Sequence, residues 1–179
     1  MDDRATAASD LSFRPLRRSD LSAMQRWLSL PHVDEWWHEA FDRAGIEAKY
    51  LPRIDGKEPT HVFVIEHGRE PIGWIQWYRW ADYAEHAARL GAEPESAGID
   101  LAIGEPKMLG IGLGSAAIRK FVEQIVFSAP AITACVSDPE TRNERSWRAF
   151  ASAGFAIVAT VQLPGEAATR HVVRRERPR

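Results

Sequence analysis

The chain has 179 residues, 45% of them hydrophobic, and 23 Lys and Arg against 25 Asp and Glu give a formal net charge of −2. That length supports one domain with a real core and no need of disulfides, and the charge balance argues against a nucleic-acid partner, which favours a basic stripe. Cys135 is the only cysteine, which excludes disulfide frameworks and Cys-based zinc sites within one chain.

No apolar run approaches membrane-spanning length, so no membrane partner is expected. The start Met1-Asp2-Asp3-Arg4 does not read as a signal peptide, and a cytoplasmic protein is expected. Residues 1–10 are polar and expected to be disordered, leaving 11–179 as a single domain.

Residues 13–17 read as a first strand, and Ser19-Asp20 offers an N-cap for a helix carrying Leu21, Met24, Trp27 and Leu28 at core-facing spacing. Leu30-Pro31 ends it, and residues 33–51 are irregular or helical around Trp36-Trp37. Strands at 61–66 and 72–78 flank a hairpin turn at 67–71. Alternation puts Trp74, Gln76, Tyr78 and Trp80 on one face of the second strand and Ile75 and Trp77 on the other. At most one of these sets lines a pocket. A polar loop over 81–97 precedes a strand at 98–103.

That strand empties into Met108-Leu109-Gly110-Ile111-Gly112-Leu113-Gly114-Ser115, which opens a helix marked by Leu113, Ala117, Ile118, Phe121, Val122, Ile125 and Val126. Three glycines at every second position clear side chains from one stretch of backbone, so several N–H groups can converge on an anion. The helix start adds its own N–H groups and dipole. A phosphate-bearing ligand follows. The loop is not a Walker loop, having no Gly-Lys-Ser/Thr, and it lacks the third glycine of a dinucleotide fingerprint at the required spacing. Beyond it come a strand at 131–136, a helix starting at Asp138-Pro139-Glu140 and ending at Gly154-Phe155, and strands at 157–163 and 169–174.

The loop resembles the Q/R-x-x-G-x-G/A element of GNAT acyl-CoA N-acyltransferases, with Lys107 or Met108 at its first position. The element order β-α-α-β-β-β-α-β-α-β-β is also theirs. The resemblance implies an α/β (α+β) GNAT fold: a mixed, mostly antiparallel twisted sheet, splayed at the cofactor site and flanked by helices. It implies acetyl-CoA held by Leu101, Ala102, Ile103 and Met108 through Ser115, that is Met108, Leu109, Gly110, Ile111, Gly112, Leu113, Gly114 and Ser115. Asn143, Trp147 and Phe150 fall near one helical face and resemble the family's C-terminal Asn-x-x-Ala-x-x-x-Tyr signature, placing them beside the cofactor. Where that signature carries a tyrosine, generally the acid for the leaving thiolate, this chain has Phe150, and no general acid is assigned.

His32-Val33-x-Glu35-Trp36-Trp37, Gly98-Ile99-Asp100 and Asp138-Pro139 together resemble aminoglycoside 6′-N-acetyltransferases. The reaction needs a neutral amine placed against a thioester carbonyl, and a cationic aminosugar needs carboxylates for its other ammonium groups. In a ternary complex Asp100 would orient and deprotonate the amine, with Asp138 holding the same amine or its neighbour. Asp82, Glu85, Glu93 and Glu95 would attract the cation, and Trp36, Trp37 and Tyr78 would wall the sugar; the same residues also suit a solvated loop and a core. His32 and His38 add no convincing metal pair, and His61, His67, His86 and His171 read as surface or strand-end positions. The alternatives are a siderophore-type lysine N-acyltransferase and a non-catalytic acyl-CoA or aminoglycoside sensor. A monomer and a homodimer are equally compatible.

Overall fold

The computed structural model describes residues 10–178; residues 1–9 and Arg179 lie outside the described residues, and with them all but the last residue of the segment expected to be disordered. Asp10 is in a turn, and its carbonyl accepts from the Gly68 N–H at 3.1 Å.

Strands β1 Leu11–Pro15, β2 His61–His67, β3 Glu70–Arg79, β4 Ser96–Ile103, β5 Ala134–Ser137, β6 Ala156–Gln162 and β7 Thr169–Glu176 form one sheet in the order β1-β2-β3-β4-β5-β7-β6. The β1–β2, β5–β7 and β6–β7 pairs are antiparallel, and β4–β5 is parallel. The helices are α1 Leu21–Leu28, α2 Pro31–Trp37, α3 Arg43–Ile54, α4 Ala84–Leu90, α5 Leu113–Gln124 and α6 Glu144–Ser152. The order thus contains one helix more before β2, and one more between β3 and β4, than the spacing predicts.

Two compact units divide the chain. The first comprises Met1–Gln76 and Leu101–Gly114. Its α1 buries Leu21, Met24, Trp27 and Leu28, the predicted stripe. The first strand lies two residues earlier than expected, because residues from Arg17 already form a turn: Asp20 accepts from the Arg17 N–H at 2.8 Å and from Arg14 at 2.7 and 2.9 Å. Residues 33–51 are helical on either side of an irregular break at 38–42. Pro31 sits in the first turn of α2, where its missing N–H costs nothing, and Asp42 caps α3 by accepting from the Gly45 N–H at 2.6 Å. The β2–β3 turn has positive φ at both Gly68 and Arg69 (56° and 72°), matching the twist of the flanking strands. The core joins Trp27, Val33, Ile46, Tyr50, Val62, Val64 and Trp74.

The second unit comprises Trp77–Asp100 and Ser115–Arg179. Here the predicted polar loop over 81–97 is replaced by a 3-10 turn at Trp80–Tyr83, helix α4 and the start of β4. Trp80, Ala87 and Leu90 are buried with Val136, Leu163 and Val172, and that apolar contact outweighs the segment's overall polarity. Gly91, at φ 69°, ends α4. Helix α6 does not start at Asp138-Pro139 but at Glu144. Asn143 caps it, accepting from the Ser146 N–H at 3.1 Å, while Pro139 gives its carbonyl to the His171 N–H instead.

Candidate active site

The acid pair is delivered by two strands that part. In the second unit β4 and β5 pair only at Ser96–Ala134 and Ala97–Cys135. Beyond that point a side chain replaces the backbone ladder: the Ser137 hydroxyl donates to the Ile99 carbonyl at 2.8 Å and accepts from the Ile99 N–H at 3.3 Å. Asp100 follows Ile99, and Asp138 follows Ser137. Both carboxylates therefore stand one residue past the opening, partly buried.

Tyr78 of β3 is the third member. A Cβ at Gly98 would lie 2.3 Å from its Cε2 and 2.7 Å from its hydroxyl, so the ring crosses β4 where only glycine leaves room. Burial pushes the phenol well above its ordinary value of 10.0, and the charges of Asp100 and Asp138 push it the same way. Tyr78 therefore stays neutral at physiological pH.

Asp138 is already engaged. Its Oδ2 lies 3.2 Å from His86 Nε2 and 3.5 Å from Arg170 Nη1, and the same Nη1 donates to the Asp138 carbonyl at 3.1 Å. The His86 ring stacks on Trp80 with centroids 5.4 Å apart and planes 2° off parallel, while the Trp80 indole donates to the Val136 carbonyl at 3.1 Å. Tyr78 meets Trp80 and Tyr83 edge-on at 5.1 and 5.0 Å. His86, expected at the surface or a strand end, is thus tied to Asp138. His171, also expected at the surface, pairs with the Thr160 hydroxyl at 3.0 Å.

The acidic segment is less available than its composition predicts. Glu85 pairs with Arg89 and Glu93 with Arg174, each at 2.5 Å, and the Arg174 contact holds the Glu93 carboxyl below its usual range. Asp82 and Glu95 are exposed, and the Glu95 carbonyl is spent on the Thr133 N–H at 2.8 Å. Arginines answer half of this acidic set.

Of the predicted cofactor residues in this unit, Asn143 caps α6, and its carbonyl accepts from the Trp147 N–H one turn on at 3.3 Å. Trp147 is half-buried, its indole donating to the Thr141 carbonyl at 3.1 Å. Phe150 is buried edge-on against Phe155 at 5.1 Å, so its side chain packs the interior.

The first unit holds the glycine loop. Gly110 and Gly112 have φ of 78° and 90°, which side chains rarely adopt, and a Cβ at either would meet nothing within 4 Å. No side chain stands on this open side, as an anion cradle requires. Gly114 lies in the first turn of α5; Met108, Leu109, Gly114 and Ser115 are half-buried and Ile111 is exposed. Leu113 is buried, so only its backbone can face a ligand. Leu101, Ala102 and Ile103 are half-buried where β4 ends, and the N–H groups of Gly104 and Glu105 both donate to the Ile72 carbonyl, at 2.8 and 3.1 Å. His32 Nε2 lies 3.1 Å from the Ile103 carbonyl.

Trp37 packs on Trp74 at 4.8 Å, and Trp74 stacks on Trp27 at 6.1 Å; Trp36 is half-buried. The alternation read along β3 does not sort a pocket face from a core face, because Trp74, Ile75 and Gln76 are all buried and Trp80 lies past the strand.

The residues the sequence reading missed are His86 and Arg170. They stand 52 and 32 positions from Asp138, and no local spacing encodes that. One signal was available: Ala87 and Leu90 at helical spacing before Gly91 mark α4, which carries His86.

An "Acetyltransferase (GNAT) domain" family model matches residues 17–163. The chain is 30% identical over 157 residues to an aminoglycoside N(6′)-acetyltransferase type 1 of Klebsiella pneumoniae, covering 86% of this chain and 78% of that protein. It is 22% identical to an N(6)-hydroxylysine O-acetyltransferase of Escherichia coli over 82% of this chain, spanning 46% of that protein. Among solved structures, the aminoglycoside acetyltransferase AAC(6′)-Ib in complex with coenzyme A and kanamycin superposes with a TM-score of 0.77 at 28% identity, over 93% of this chain and 95% of that one. With the seven-stranded sheet, the parting of β4 from β5 and the glycine loop already described, these likenesses establish that the chain belongs to the GNAT family of acetyl-CoA-dependent N-acetyltransferases.

Proposed function

We propose that the chain transfers the acetyl group of acetyl-CoA to the 6′-amino group of aminoglycoside antibiotics, conferring resistance, with residues 11–179 acting as one catalytic domain in the cytoplasm. The observation that carries this reading is the gathering of Asp100, Asp138 and Tyr78 where β4 parts from β5. The 30% identity to the Klebsiella enzyme supports it across most of the chain.

Acetyl-CoA supplies a thioester carbonyl as the acyl donor. Backbone N–H groups within residues 110–115 would hold its pyrophosphate, those of Met108 and Leu109 being bonded to the Glu105 and Pro106 carbonyls. Asp100 accepts the proton that the amine must lose to become a nucleophile, and Asp138 holds an ammonium group of the sugar. Tyr78, neutral and aromatic, packs against the sugar without adding charge. No side chain is assigned as the acid for the departing sulfur, since Phe150 carries no proton and lies in the interior.

Thiol release is measured with acetyl-CoA and kanamycin or tobramycin, with the acetylated position read by mass spectrometry. Release is expected with 6′-amino compounds and not with a 6′-hydroxyl analogue. No release with any 6′-amino compound at high enzyme concentration would refute the proposal. Asp100→Asn is expected to lower kcat by about 100-fold or more, the usual reach of general-base catalysis, while coenzyme A affinity stays unchanged.

A further inference from the structure

Two cationic groups converge on one oxygen of Asp138, and they differ in kind. Arg170, on β7, is charged at every physiological pH. It is itself flanked by Glu166 (2.7 Å from Nε) and Glu140 (3.9 Å from Nη2). His86, on α4, can lose its charge. Both address Oδ2, at 3.5 and 3.2 Å. The carboxylate is therefore gripped at that oxygen.

The grip is rigid. The His86 ring lies flat on Trp80, and the Trp80 indole is anchored to the Val136 carbonyl, two residues before Asp138 on the same chain segment. One stretch of backbone thus fixes the aspartate and the plate beneath its histidine. A carboxylate has no proton to give, so a neutral His86 must keep its proton on Nε2 to hold this contact, with Nδ1 as an acceptor. The contact survives deprotonation; only the charge is lost.

We propose that His86 is a positioning residue that sets how much negative charge Asp138 offers a cationic acceptor, so that affinity for the aminosugar rises as His86 becomes neutral. The inference rests on the reading of Asp138 as an acceptor-binding group. With His86 protonated, two cations face one carboxylate, and an incoming ammonium meets a compensated charge. With His86 neutral, Arg170 alone remains, its own charge shared with Glu166 and Glu140. The hydrogen bond to Asp138 raises the His86 pKa above 6.5, burial and Arg170 work against that, and Glu166 assists. His86 therefore gives up its proton at a higher pH than an ordinary histidine.

The test measures kanamycin binding calorimetrically with coenzyme A present, so that no turnover occurs, between pH 5.5 and 8.5, for the wild type and for His86→Gln. The glutamine keeps an N–H donor and never ionises. Taking the ratio of the two affinities cancels the titration of kanamycin's own amines. The wild type is expected to bind about five- to tenfold more weakly than the variant at pH 5.5, the effect of one partly screened charge, and equally well at pH 8.5. A flat ratio overturns the inference.

Asp138→Asn separates the two levels of failure. If it leaves kanamycin affinity unchanged, the acceptor reading of Asp138 falls. If it weakens binding tenfold or more while the wild-type to glutamine ratio stays flat, only the role of His86 falls. Should His86→Gln fail to fold, the wild type still decides. Bound kanamycin, being a nearby cation, must lower the His86 pKa followed by NMR, and an unmoved titration overturns the inference.

Discussion

Gly98 decides the shape of the site more directly than either acid beside it. A methyl group there would need the space held by Cε2, Cζ and the hydroxyl of Tyr78, at 2.3, 2.4 and 2.7 Å. A half-buried ring packed across a strand yields only by leaving its rotamer, which costs about 1–3 kcal/mol where packing is tight. Gly98→Ala is therefore expected to lower unfolding stability by about that amount and to raise the KM for kanamycin, with coenzyme A affinity retained. Urea denaturation and steady-state kinetics check this. An alanine protein with unchanged stability and KM would mean that Tyr78 is free to move aside.

Among the elements, the glycine loop and α6 make separable demands. Gly112, at φ 90°, faces open space, so an added side chain meets strain but no clash. Gly112→Ala is expected to cost about 1–2 kcal/mol of stability from backbone strain. It should also weaken coenzyme A binding by tenfold or more, because its methyl group would occupy the open side of the cradle; calorimetry checks the second effect. Asn143→Ala removes the Ser146 N–H contact and should cost about 1 kcal/mol, the ordinary value of an N-cap. If Asn143 contributes nothing else, coenzyme A affinity will not change. The glycine cradle and the acids Asp100 and Asp138 were legible in the sequence because each is a local pattern: glycines at alternate positions, an acid at a strand's end. Helix α1 was legible for the same reason, through its apolar stripe. Helix α4 was not, since its burial depends on Val136, Leu163 and Val172, far along the chain. The acidic loop was misjudged in the same way: Glu93 looks like an open charge until Arg174, 81 residues later, is placed against it.

At the scale of the whole molecule, stability should depend on pH from both sides. Burial works to raise the Asp20 carboxyl, but Arg14 and the Arg17 N–H hold it below its ordinary 3.8. Arg174 lowers Glu93 and Arg26 lowers Glu105, both below 4.5. Stabilisation from these depressed carboxyls is complete above their ordinary values and is lost as pH falls through the lower folded ones. His86 runs the other way: raised above 6.5 by Asp138, it stabilises fully below 6.5 and loses that contribution as pH rises through its folded value. Urea midpoints are expected to peak between about pH 5 and 6.5, and His86→Gln should flatten the alkaline limb alone. A wild-type profile level from pH 6 to 9 would show that the His86–Asp138 contact contributes nothing to folding.

The flat Trp80–His86 stack also gives the molecule an optical gauge. An imidazolium held face to face with an indole quenches its excited state by accepting an electron, whereas neutral imidazole does so weakly. Trp80 has its histidine stacked face to face, whereas Trp147 meets His171 edge-on at 5.7 Å. The part of the emission that disappears in Trp80→Phe should therefore brighten as pH rises through the His86 titration, and brighten again at fixed pH when a cationic sugar drives off the proton.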